Sequence, residues 1–75
     1  MPGGRRARGL RPARVIRALR RLGFEVDYIQ GSHYTLVHED ERRITIPYHR
    51  EVKVGLLLDS LKAIGISWEE FQEVL

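Results

Sequence analysis

The sequence contains no cysteine. That excludes a disulfide framework, a thiolate metal site and a cysteine nucleophile. Long apolar runs are also missing. Nowhere do about 18 apolar residues follow one another, so no membrane-spanning helix is expected. Acidic residues are absent from positions 1–21, which carry eight arginines at 5, 6, 8, 11, 14, 17, 20 and 21. This basic end has no apolar stretch behind it and is not read as a signal peptide. Lysine is scarce, with two residues against eleven arginines. What is present is one small domain of 75 residues with a net charge of +3. A chain of this size buries only about 60% of its unfolded surface, so its core is modest. The composition suits a soluble cytoplasmic domain.

Charge divides the chain. Residues 22–75 hold five basic and ten acidic side chains, so all the excess positive charge lies at the N-terminal end. An acidic partner is expected there, with nucleic acid the leading candidate. A solubilising tail and a solvated helix face would carry the same charge. Residues 1–11, with a proline, three glycines and four arginines, read as a mobile basic arm ahead of a domain over 12–75.

A first helix is expected over 12–22. Pro12 suits its first position, and Val15, Leu19 and Leu22 cluster on one arc with Ile16 at the edge. Gly23 stops it. Three strands follow over 24–29, 33–38 and 42–46. Phe24, Val26 and Tyr28, then Tyr34 and Leu36, then Ile44 and Ile46 alternate with polar residues. This is a β-meander with one apolar face, ended by Pro47. A loop is expected over 48–53. A second helix over 54–64 carries Val54, Leu57, Leu58, Leu61 and Ile64 on one arc, with Leu56 projecting opposite. Gly65 stops it. Ser67 and Glu70 form a capping box, and Ile66 and Phe71 a hydrophobic staple, for a short third helix over 67–74. Helices before and after a meander cover its apolar face, which makes a two-layer α+β domain.

The three histidines are the candidates for chemistry. RNA is cut without a metal when its own 2′-OH attacks the adjacent phosphate, a step that needs a general base and a general acid. Histidine serves in either role near neutral pH. His33 follows the Gly31–Ser32 turn, and its parity points it to the polar face of the sheet. By position alone it is an exposed histidine or a general base. His38 has core-side parity near a strand end and reads as a packed or half-exposed residue. His49, in the loop before the second helix, is a plain loop histidine or a second proton-transfer group. Spacings of five and eleven among the three form no usual ligand motif, so no metal and no other cofactor is expected. Arg14, Arg17 and Arg21 fall within about 60° on the first helix, a row suited to phosphates or to solvent. Lys53 stands where the second helix begins, where free N–H groups favour a phosphate. Tyr48 and Trp68 could stack bases, though Trp68 fits the core edge better.

In order and spacing, the pieces L-G-F (22–24), G-S-H-Y (31–34), His38–Asp40, I-P-Y-H (46–49), K-x-G (53–55) and G-I-S-x-E-E-F (65–71) resemble the HicA/YcfA-like family of small toxin mRNA interferases. The resemblance covers roughly residues 12–72. It implies an α-β-β-β-α fold like that of a double-stranded-RNA-binding domain, metal-independent cleavage of mRNA, and silencing by a HicB-like antitoxin. It also implies that the histidine of G-S-H, here His33, is catalytic. The sequence departs from the family pattern at Tyr34, where a second histidine is common. It departs again at Val54-Gly55-Leu56-Leu57, where P-G-T-L is common. The alternatives to a ribonuclease are a non-catalytic RNA-binding module of the same fold and an inactive partner for another protein.

Overall fold

The computed structural model describes residues 9–75. Its elements run β1 (Gly9–Leu10), α1 (Pro12–Arg21), β2 (Phe24–Gln30), β3 (His33–His38), β4 (Arg43–Pro47), β5 (Val52–Lys53), α2 (Val54–Ala63) and α3 (Trp68–Glu73). β2, β3 and β4 form the antiparallel meander, with β3 in the middle. Phe24, Leu36, Ile44 and Ile46 share one face of it. They meet Val15, Ala18 and Leu19 of α1, Leu57 and Leu61 of α2, and Phe71 of α3 in a single core. The fold is thus the expected two-layer α+β arrangement, helices against one face of a three-stranded sheet.

Local chemistry accounts for the joints. Gly23 follows α1 at φ +98°, a conformation side chains rarely adopt. Ser67 Oγ accepts from the Glu70 N–H at 3.0 Å, while Glu70 Oε1 accepts from the Ser67 N–H at 2.9 Å, so the capping box closes as the sequence implies. Trp68 is half-buried and stacks on Phe71 at 5.8 Å, part of the core edge.

Three expectations are corrected. The strand alternation over 24–29 holds through Val26 and then fails. Val26 pairs with Leu36, but Tyr28 pairs with Thr35, so Asp27 is an extra residue, a β-bulge. The bulge reverses parity: Tyr28 joins the outer face, and Ile29 turns to the helix side, where it remains 52% exposed. Second, the loop expected over 48–53 ends in a strand, because Val52–Lys53 pair with Gly9–Leu10. Third, two residues of the stretch read as an arm over 1–11 form a strand. Gly9 and Leu10 belong to the fold, and residues 1–8 lie outside the described residues. A smaller difference concerns Leu58, which is exposed because it sits 100° from Leu57, at the rim of the apolar arc.

The β1–β5 pairing is a clasp. β1 runs through Arg11 into α1, and β5 runs directly into α2, so the first turns of both helices start from one two-stranded ribbon. Neither first turn holds an acidic residue, and no side chain caps either helix.

Candidate active site

The β2–β3 hairpin turns on Gly31 and Ser32. Gly31 has φ +60°, which glycine tolerates without strain. Gln30 then pairs with His33, which opens β3 on the outer face, away from the helices. On the other side His33 pairs with Pro47, the last residue of β4. The next residue keeps the chain close, because the Tyr48 N–H donates to the Ser32 carbonyl at 2.6 Å. That bond delivers His49 beside His33. Their ring centroids are 6.3 Å apart and the ring planes cross at 84°. Both side chains are exposed. That separation and angle are those of an edge-to-face ring pair, so the two imidazoles border one spot on the surface.

The floor beside them is polar and ordered. Thr35, only 6% exposed, shares a hydrogen bond of 3.1 Å with Thr45 across the β3–β4 ladder. His38 lies on the opposite face. It packs edge-on against Phe24 at 5.1 Å, and its Nδ1 accepts from the Asp40 N–H at 3.1 Å. The same nitrogen is 3.1 Å from the Asp40 carboxylate. It cannot accept from the amide and donate to the carboxylate together. The carboxylate is already held by Arg42, and we assign the amide bond. His38 is a structural residue of the turn.

The cations expected to meet RNA are dispersed. Arg17 lines a groove together with Arg20, Tyr34 and Tyr48, whereas Arg21 donates from Nη1 to the Val74 carbonyl at 2.7 Å and leans on the chain's last turn. Arg14 is exposed. Lys53 is exposed at the start of α2. α1 covers the face of the sheet opposite His33, so the arginine row and His33 lie on different sides of it. The sequence alone did not place Arg20 and Tyr34 beside Arg17 on one groove. The i, i+3 spacing of Arg17 and Arg20 was the available signal.

One carboxylate near the sheet's other end has a displaced pKa. Hydrogen bonds from the Arg42 guanidinium hold Asp40 down, to about 2, and the Arg42 backbone N–H adds to them. The same pairing pushes Arg42 up. Among the described residues no three His, Cys, Asp or Glu side chains gather at one place. No helix of the described residues is long and apolar enough to cross a membrane.

A small α+β domain of the double-stranded-RNA-binding-domain type, with two histidines facing each other at one end of its sheet, is what these elements define. The family model of the HicA toxin of bacterial toxin–antitoxin systems matches residues 12–66. The chain belongs to that family and is a toxin whose counterpart is an antitoxin. No curated protein matches it.

Proposed function

We propose that this toxin is a metal-independent endoribonuclease that cuts mRNA in the cytoplasm and is held in check by a HicB-like antitoxin. The observation that carries the reading is the approach of His33 and His49, two exposed imidazoles with ring centroids 6.3 Å apart at one end of the sheet. One imidazole takes the proton of the 2′-OH. The freed oxygen attacks the adjacent phosphorus, and the bond from phosphorus to the 5′-oxygen breaks. The other imidazole gives its proton to that oxygen. The products are a 2′,3′-cyclic phosphate and a 5′-hydroxyl end. Histidine suits both roles because its charge changes near neutral pH. His33 is the principal catalytic residue of this reading, on its place in the G-S-H motif, and His49 is its partner.

Arg14, Arg17, Arg21 and Lys53 supply phosphate contacts, and planar guanidinium groups suit that task. The uncapped start of α2 beside Lys53 adds N–H donors and a positive helix end.

The test is incubation of the purified toxin with a defined RNA in EDTA, with and without its antitoxin. The reading requires that the RNA shortens in EDTA, that the products carry cyclic phosphate ends, and that a 2′-deoxy substitution at the cleaved position blocks the cut. RNA that is bound but remains intact would replace it with the binding-module reading.

A further inference from the structure

A groove of about 410 Å³ lies between α1 and the sheet end that carries Tyr48, lined by Ala13, Ile16, Arg17, Arg20, Tyr34 and Tyr48. Its size falls within the roughly 300–1,000 Å³ of small-ligand sites. Its composition is narrower than its size. The flat walls are two phenol rings, stacked at 4.7 Å with a tilt of 31°. Tyr34 packs against the core and backs Tyr48, which stays 40% exposed. The polar wall is two guanidinium groups from successive turns of α1. Arg20 leans toward Glu25 at 3.6 Å, and Arg17 has no ion-pair partner among the described residues. No carboxylate lines the groove.

A ring-shaped apolar surface joined to an anion is the ligand that such walls match. Aromatic faces stack bases of any sequence, and arginine binds phosphate through a planar fork. A base inside a duplex has both faces covered by its neighbours, so Tyr48 can reach only an unpaired one. The chain direction adds a second constraint. Tyr48 faces this groove with Tyr34, while the next residue, His49, faces His33 on the other side of the sheet. A strand whose base sits in the groove can carry its backbone around the 48–49 corner to the histidine pair.

We propose that this groove holds one unpaired nucleotide of the RNA next to the scissile bond, its base on Tyr48 and its phosphate on Arg17. The placement next to the cut rests on the ribonuclease reading, whereas nucleotide binding by the groove does not. The domain then uses a fold known for reading duplex shape to grip a single strand.

The experiment measures binding of the toxin to a short 2′-O-methyl single strand, which cannot be cut, and to a duplex of the same sequence. Cleavage of the all-ribose strand is followed in parallel. Tyr48→Ala should weaken single-strand binding about 5- to 100-fold, the range for loss of one stacked base. Tyr48→Phe should keep it within about threefold, and the duplex should bind more weakly than the single strand. Arg17→Gln, exposed on α1, should also weaken binding and lessen its salt dependence. It carries the test alone should Tyr48→Ala not fold. Wild-type affinity in Tyr48→Ala and Arg17→Gln overturns the groove, whether or not RNA is cut. A wild-type toxin that leaves RNA intact, with both variants still losing affinity, overturns the cleavage reading and keeps the groove. No single-strand binding by the wild type overturns both.

Discussion

Arg42 donates from Nη1 to the carbonyl of Ile64 at 2.6 Å, so the residue just before the third strand of the meander closes the end of α2. The same guanidinium holds both oxygens of Asp40, at 3.1 and 2.9 Å, and lies 5.4 Å above the Phe24 ring. One side chain thus ties the β3–β4 turn, the last turn of α2 and the first core residue of β2. Arg42→Ala should lower the melting temperature more than Arg43→Ala, whose side chain makes only an exposed pair with Asp27. Equal melts would show that the Ile64 bond contributes nothing.

The Asp40 pairing also sets an acid limit. Its carboxyl titrates at about 2 in the folded chain, below the ordinary value of 3.8, chiefly because Arg42 hydrogen-bonds the charged form. A lowered folded pKa means that the contribution is complete above the unfolded value. It fades as pH falls from about 4 through about 2. Asp40→Asn should therefore reduce stability at pH 7 and converge with the wild type near pH 2. Thermal melts across that window check the sign.

For the histidine pair, His33→Ala should lower cleavage by about 10²- to 10⁴-fold, the usual worth of one acid or base. His49→Ala should lower it too, and the double variant should lose less than the product of the two. Both side chains are exposed, so folding stability should change by less than about 0.5 kcal/mol in each. Undiminished cleavage by His33→Ala, with an unchanged melt, rules out the proposed chemistry.

Gly23 and Gly65 both have positive φ, at 98° and 74°, but their surroundings differ. A Cβ on Gly23 would meet the His38 ring at 2.8 Å, whereas nothing lies within 4 Å of one on Gly65. Gly65→Ala should cost about 1 kcal/mol from backbone strain. Gly23→Ala should cost more, and His38→Ala in the same chain should recover part of the excess. Chemical denaturation of the three variants tests this.

The dispersal of the arginines separates their effects. Affinity for single-stranded RNA should fall with salt at a slope of about 0.7 per neutralised phosphate. Arg17→Gln should reduce that slope, while Arg21→Gln should also lower the melting temperature, because it loses the bond to the Val74 carbonyl. Charge reversal at Arg14, Arg17 and Arg21 together should slow association with the antitoxin steeply at low salt if an acidic patch receives them. Stopped-flow mixing at two salt concentrations reads that rate.

Periodicity carried most of this fold because each helix has a plain apolar arc and the turns carry glycine or a capping box. It failed where structure depends on pairing rather than pattern. The Asp27 bulge leaves the alternation of β2 intact on paper, yet sends Tyr28 outward once Thr35 becomes its neighbour. β1 and β5 have two residues each, too few for any period, and their partners are far apart in the chain. The candidate site shows the same division. The outward face of His33 was legible from its turn and parity, its candidacy for chemistry came from the resemblance of G-S-H, and His49 stood out only as a histidine near a helix start. Their approach depends on the Tyr48–Ser32 bond beyond the last strand residue, which no residue type announces. The arginine row was legible as an arc, but not that Arg17 lines a groove with Tyr34 and Tyr48 while Arg21 bonds the Val74 carbonyl.

The clasp between Gly9–Leu10 and Val52–Lys53 bears on the order of folding. The hairpins of the meander close over a few residues, whereas the clasp must bring together segments from opposite halves of the chain. Distant pairings pay their closure entropy before contacts reward it, so the clasp forms after the sheet. A two-stranded ribbon is marginal by itself, and this one is held mainly by Val52 in the core. It is therefore the first unit to open under native conditions, and its amides exchange with solvent ahead of those of β3, which is flanked on both sides. Each opening frees β1 from β5 while His33 stays on the meander and the Tyr48–Ser32 bond holds the chain next to His49.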